Sequence, residues 1–158
     1  MDARSFRQVM GRFPTGVTVV TARDGEGSPV GLTVNAFTSV SLDPPLVLAC
    51  IDRASNSHDV LLSAGSFAVN LLSDRQEALA RRFAADPSAR RFDGLVWRAG
   101  PGGAPVLDGV SAWLECSLET TQQAGDHTIL VGRVNAAGLG SGGALAFYRG
   151  AFRAVTGP

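Results

Sequence analysis

Apolar and polar positions alternate with a period of two along most of this chain, and only three short stretches adopt a helical spacing. Phe6, Val9, Met10 and Phe13 stand at i, i+3, i+4 and i+7, one face of a short helix that Pro14 would stop. Residues 17–22, VTVVTA, are β-branched and predict a strand. DGEGSP at 24–29 is a turn. Residues 30–42, VGLTVNAFTSVSL, predict one long strand or two broken near Asn35, closed by the Asp43-Pro44-Pro45 turn. LVLACI at 46–51 is apolar at every position, which predicts a central strand covered on both faces. Residues 55–64 predict a helix capped by Ser55 or Ser57 and closed by Gly65. SFAVNLL follows as a strand. Ser73 with Gln76, or Asp74 with Glu77, then forms a capping box for a helix ending before Asp86-Pro87. The second half predicts strands at 94–98, 112–122, 128–136, 145–148 and 152–155. Strands outnumber helices without a βαβ rhythm, so the pattern predicts a mainly β protein, an antiparallel barrel with two or three accessory helices.

Composition narrows the chemistry. The 158 residues suit one domain, with 45% hydrophobic residues and a mean hydropathy of +0.13. Fourteen basic and fourteen acidic residues cancel, which disfavours nucleic acid and acidic membrane as partners. Every basic residue is an arginine, so lysine nucleophiles and Schiff bases are excluded. Cys50 and Cys116 lack metal spacing and are expected to be buried thiols of a reduced cytosol. The N-terminus lacks an apolar signal core, and no stretch approaches the ~18 apolar residues that span a membrane. The expected location is cytoplasmic.

GLGSGG places Gly138, Gly140 and Gly143 in a G-x-G-x-x-G pattern, but the dinucleotide fingerprint needs a following helix, and ALAFYRGAFRAV predicts strand. His58 and His127 stand far apart with no ligand cluster around either, so no metal site is expected. The informative segment is Val30–Asp59. A core needs no such series of hydroxyl and amide side chains, whereas a ligand with many hydrogen-bonding atoms does. Ser55-Asn56-Ser57-His58 follows an apolar strand at the start of a helix, where unpaired N–H groups accept phosphate; the same hydroxyls also serve as caps.

FPTGVTVVTA, GLTVNAFTSVSLDPPLVLACI, SNSHDVL, FAVNLL, the QEALARRFA helix, GDHTILVGRV and FYRGAF occur in the order seen in the short-chain flavin reductases. The chain resembles that family from about Phe13 to Phe152. The resemblance implies an FMN-binding, Greek-key split barrel that pairs as a homodimer. It implies an NAD(P)H:flavin oxidoreductase using FMN or FAD with NADH or NADPH, and a partner flavin-dependent monooxygenase that receives the reduced flavin. By the same resemblance Thr33, Val34, Asn35 and Ala36 would meet the isoalloxazine, and Ser39 and Ser41 the ribityl or phosphate. Cys50, Ile51 and Asp52 would end the adjacent strand, with Ser55, Asn56 and Ser57 at the phosphate end. Arg82, or Arg81, would add phosphate charge, or else lie on a solvated helix face. Tyr148 and Arg149 fall on the nicotinamide side, and His127 in the Gly-Asp-His step is the candidate catalytic residue. The chain departs from many relatives in having Phe147 where they have Tyr, and Arg133 where they have an acidic residue. NADH is favoured over NADPH, since no arginine pair accompanies a ribose-binding carboxylate. Two rival readings share the barrel: an oxidase or reductase with another substrate, and a non-enzymatic flavin-binding protein.

Overall fold

The computed structural model describes residues 1–155. In chain order the elements are α1 (Ala3–Met10), β1 (Thr15–Gly16), β2 (Thr18–Arg23), β3 (Pro29–Val34), β4 (Phe37–Leu42), β5 (Pro45–Asp52), α2 (His58–Ser63), β6 (Ser66–Leu71), α3 (Glu77–Ala85), β7 (Trp97–Ala99), β8 (Pro105–Leu107), β9 (Ala112–Ala124), β10 (His127–Leu139), β11 (Ala144–Tyr148) and β12 (Ala151–Val155). No helix among these residues is long and apolar enough to cross a membrane. The fold is the mainly β barrel with accessory helices that the sequence predicts.

Seven strands form the main antiparallel sheet in the order β3-β2-β6-β9-β10-β5-β4. Its two edge strands, β3 and β4, are consecutive in the chain and joined only by Asn35 and Ala36. In a flat sheet those edges would stand about 29 Å apart, at about 4.8 Å per strand spacing, while a two-residue link reaches only about 10 Å. The sheet therefore curls until β3 meets β5. β3 and β4 do not pair, and that gap is the split in the barrel.

The barrel interior packs Val20, Leu32, Val34, Val47, Ala49, Ile51, Phe67, Val69 and Leu130. A second cluster lies outside β2 and β6, where Val17, Val19 and Leu72 meet Ala80 and Phe83 of α3, Leu107 and Leu145. The strand covered on both faces is consequently β2, in which Thr18 to Ala22 are all buried. This corrects the expectation for residues 46–51. In β5 only Val47, Ala49 and Ile51 are buried, and Leu46, Leu48 and Cys50 remain half-exposed, because α3 lies across β2 and β3 rather than over β5.

Several boundaries also differ from expectation. α1 ends at Met10 with Gly11 as its cap, before Pro14, and buries none of its residues. α2 covers only 58–63, and neither Ser55 nor Ser57 caps it: Ser57 stands at the N-cap position with no side-chain bond to the helix. The early strand of the second half begins at Trp97, while the β9–β10 hairpin extends beyond the predicted limits at its turn, to Ala124 and from His127, and at the end of β10, to Leu139. The capping box before α3 is half formed, with Gln76 Oε1 accepting from Ser73 N–H at 3.0 Å.

Candidate functional site

The split in the barrel is where the polar segment comes to lie. Asn35 and Ala36 belong to neither strand, and neither donates its N–H to a backbone acceptor among the described residues. Their placement is nevertheless fixed. The Ala36 carbonyl accepts from Cys50 N–H at 2.9 Å, and Asn35 Nδ2 donates to Thr15 Oγ1 at 3.3 Å. An unpaired backbone edge tied in place beside an open gap offers its N–H groups to a ligand that enters the gap.

A cavity of about 630 Å³ opens there. Asn35, Ala36, Phe37, Thr38, Leu48 and Cys50 form one side, and Phe13, Thr15, Phe147, Gly150 and the end of α1 at Arg7, Met10 and Gly11 form the other. Its volume lies within the usual range for small-ligand sites of about 300–1,000 Å³. Small side chains on β5 and the link leave room for a flat ring, and Phe37, Leu48 and Phe147 supply apolar faces.

A second depression of about 350 Å³ is lined by Leu32, Thr33, Asp52, Ala54, Ser55, Asn56, Phe83, Ala84 and Arg91. Strand geometry relates the two. Cys50 and Asp52 are two residues apart on the outer face of β5, about 7 Å along the strand, so one elongated ligand can place a ring in the first and its tail in the second. Ile51, between them, points inward and is fully buried, which leaves only its backbone for a ligand. Val34 is likewise a core side chain.

The loop after β5 is built by its own polar groups. Asp52 Oδ1 accepts from Ala54 N–H at 2.8 Å, and Ser55 Oγ accepts from Ser57 N–H at 3.2 Å. Ser57 itself is fully buried and donates to the Gly31 carbonyl at 3.1 Å, so it supports the loop and does not line the depression. Thr33 Oγ1 donates to the Ala80 carbonyl at 2.6 Å. A bulge between Ser39 and Ser41 disturbs the alternation that would place them in phase, and neither lines these cavities.

The cation beside the second depression is Arg91, which sequence reasoning missed in favour of Arg82 or Arg81. Arg82 Nη2 is committed to the carbonyls of Arg90 and Asp93, both at 2.6 Å, and Arg81 pairs with Glu77 across one helical turn at 2.7 Å. Arg91 is buried, with Nε on the Asp86 carbonyl at 2.9 Å and Nη1 on the Gly31 carbonyl at 2.7 Å. Its Nη2 has no protein partner among the described residues. Burial lowers its pKa, and the nearby Asp86 carboxylate acts in the opposite direction. No local motif marks Arg91; only the turn after α3 brings it to Gly31.

His127 opens β10 opposite Asp52 of β5. Its Nδ1 lies 2.7 Å from Asp126 Oδ1. The hydrogen bond from His127 holds the Asp126 carboxyl below its ordinary value, helped by the charges of His127 and Arg7. His127 does not itself line the large cavity, but Arg7 does. Tyr148 is half-buried beneath the Arg149 guanidinium at 5.6 Å and stands outside that cavity, whereas Phe147, packed edge-on against Phe152 at 5.3 Å, lines it.

Residues 10–156 match the model of the flavin reductase like domain. The chain is 46% identical over 151 residues to a probable flavin reductase of Rhizobium meliloti, covering 96% of this chain and 48% of that protein. It is 47% identical over 151 residues to the FMN reductase (NADH) SmoA of Agrobacterium fabrum, covering 96% and 85%. Among solved structures, BorF, the flavin reductase component of a bacterial two-component tryptophan halogenase, superposes with a TM-score of 0.91 at 41% identity, covering 99% of this chain and 100% of that one. The chain thus spans about half the length of one relative and nearly all of others. It belongs to the flavin reductase like domain family.

Proposed function

We propose that this protein is an NAD(P)H:flavin oxidoreductase, using NADH in preference to NADPH, that reduces FMN or FAD and releases it to a separate flavin-dependent monooxygenase. One observation carries the reading: the cavity at the barrel split pairs an unbonded backbone edge, Asn35–Ala36, with apolar walls. An isoalloxazine has the same division, flat apolar faces and a hydrogen-bonding edge. Bound there, a flavin takes hydride at N5 from the nicotinamide and a proton from solvent or a side chain, so no residue has to act as nucleophile.

The work of the chain is positional. Asn35 and Ala36 offer N–H groups to the ring edge, where negative charge develops on reduction. Ala36 and Cys50 are small enough for the ring to lie against the strand. Asp52, Ser55 and Asn56 with Arg91 suit the ribityl and phosphate end, Thr33 bordering it. Phe147 supplies an apolar wall for the second ring, which catalysis requires face to face with the first. His127 serves the nicotinamide side from the neighbouring hairpin.

The SmoA relative supports FMN and NADH, and BorF supports service to a second component. We infer a homodimer as well. Phe6, Val9, Met10 and Phe13 are 50–67% exposed, and the outer face of β5 is only half covered. A second copy is the occupant that would bury them. A cytoplasmic location suits the two free thiols. The deciding assay measures NADH and NADPH oxidation with FMN, FAD and riboflavin. Rapid turnover with added flavin is expected; binding of flavin without turnover would overturn the reading.

A further inference from the structure

The loop at 52–57 contains no apolar side chain larger than that of Ala54, and Asp52, Arg53, Ala54 and Asn56 are exposed. Nothing in it sinks into the core by apolar packing, so hydrogen bonds must set its place. Arg53 N–H donates to the Asp126 carbonyl at 3.0 Å, and Ser57 Oγ donates to the Gly31 carbonyl at 3.1 Å. A third tie is the imidazole of the next residue, His58.

His58 is the first residue of α2, and its ring is buried; Leu61, one turn on, belongs to the barrel core. An apolar side chain could fill the same place without the cost of burying polar nitrogens. Both nitrogens of His58 are instead engaged. Nδ1 lies 2.7 Å from Asp59 Oδ1, and Nε2 lies 2.9 Å from Thr128 Oγ1. A carboxylate only accepts, so Nδ1 carries the proton there, and in the neutral ring Nε2 accepts from the Thr128 hydroxyl. A hydroxyl can also accept, so the contact to Thr128 survives protonation of the ring. The joint is fixed rather than switchable.

Thr128 is itself buried, on the inward face of β10 with Leu130, and pairs with Ile51 of β5. At the other end His58 N–H donates to the Ser55 carbonyl at 3.0 Å. One residue thus links the start of β10 to the loop that presents Ser55 and Asn56 to the second depression, while lining neither cavity itself. Hydrogen bonds to a ligand weaken steeply with misplaced distance and angle, so a loop of this kind is only as good as its anchors. We propose that His58, through Thr128, is the positioning residue that holds the Ser55–Asn56 loop in register for the flavin phosphate. The proposal rests on the flavin reductase reading above, in which the flavin tail occupies the depression at Asp52–Asn56.

Three variants of the whole protein test it. His58→Leu removes both ring contacts at similar size, Thr128→Val removes only the hydroxyl, and His58→Gln keeps an amide able to reach Thr128. Each is titrated by fluorescence with FMN and with riboflavin, which has the same ring and no phosphate. FMN binding about 10-fold weaker is expected in His58→Leu and Thr128→Val, with riboflavin binding changed no more than about 2-fold. His58→Gln should recover most of the FMN affinity. Hydrogen exchange on the flavin-free protein should show the Ala54 and Ser57 amides opening faster in the first two variants. If His58→Leu fails to fold, Thr128→Val carries the same comparison. FMN and riboflavin weakened by one common factor would overturn the proposal and leave His58 a packing element of the barrel. Unchanged FMN affinity, or loop amides exchanging at wild-type rates, would overturn it too. Wild-type protein that binds neither flavin would sink the flavin reductase reading and this role with it, whereas variants that keep the wild-type preference for FMN would overturn the role of His58 alone.

Discussion

Cys50 donates its N–H to the Ala36 carbonyl at 2.9 Å, and both residues line the cavity at the split of the barrel. The bond is made by backbone alone, so the Ala36 side chain is free to change without loosening the link. Ala36 is exposed, and a larger side chain there would project into the space assigned to the flavin ring. Ala36→Leu should weaken FMN and FAD binding at least ~10-fold while shifting stability by no more than about 0.5 kcal/mol. Fluorescence titration and a urea melt check both parts; unchanged flavin affinity would remove the ring from this cavity.

Ser55 and Ser57 look equivalent in sequence and are not equivalent in the fold. Ser57 is buried, donating to the Gly31 carbonyl that Arg91 Nη1 also engages. Ser57→Ala should cost about 1–2 kcal/mol of stability with a secondary effect on flavin. Ser55 lines the depression beside Asp52. Ser55→Ala should weaken flavin binding by about 1–3 kcal/mol if its hydroxyl meets phosphate, while the flavin-free protein loses no more than about 1 kcal/mol with the bond from Ser57 N–H. A reversed pattern would place the phosphate elsewhere.

The long strands, the turns between them and the polar segment were legible, because each depends on local alternation or on residues that punctuate it; the short strands Thr15–Gly16 and Pro105–Leu107 were not. What covers a strand was not. LVLACI at 46–51 and VTVVTA at 17–22 are both strongly apolar, yet only the second is sandwiched, since α3 packs across β2 and β3 and leaves the outer face of β5 half-exposed. Composition records that a face is apolar without recording whether the chain, a ligand or another subunit covers it. The site divides the same way. The break at Asn35 and Ala36 was readable because an interruption within a polar strand run is a local event. Arg91 was not, because its role depends on a contact with Gly31, sixty residues away. Arg82 looked better placed in sequence, but its guanidinium holds the 90–93 turn instead.

Burial pushes the Cys116 thiol from 9.0 up to about 12, and the neighbouring Glu115 charge acts in the same direction. A pKa raised in the folded state means that the folded protein holds this proton more tightly than the unfolded chain. The associated stability is complete below about pH 9 and is lost as the pH rises toward 12. Urea unfolding at successive alkaline pH values should show this decline. Cys116→Ala should lower stability at neutral pH by about 1 kcal/mol but flatten the alkaline slope. An identical slope in the variant would assign it to other groups. The same thiol should resist alkylation in the native protein, since the thiolate is the reactive form.

His127 is the remaining chemical group of interest, which the proposed function assigns to the nicotinamide side. It stands opposite Asp52 at the open end of the β5–β10 ladder, with Nδ1 at 2.7 Å from Asp126 Oδ1. Because the His127 contact lowers the Asp126 pKa below 3.8, Asp126 is a carboxylate throughout the neutral range and orients the ring. The ring's other nitrogen, Nε2, has no protein partner among the described residues, so it is free to meet a carboxamide or a cofactor phosphate. Hydride transfer requires no proton in the same step, so the imidazole assists rather than enables. His127→Ala should raise KM for NADH and lower kcat/KM by ~10- to 100-fold, about 1.4–2.7 kcal/mol, with flavin affinity nearly unchanged. Asp126→Asn, which keeps the ring but removes the charge that orients it, should show the same trend at smaller size. If His127→Ala instead abolishes flavin binding while NADH kinetics at saturating flavin stay normal, the residue belongs to the flavin side. If neither parameter moves, His127 serves only the turn between β9 and β10.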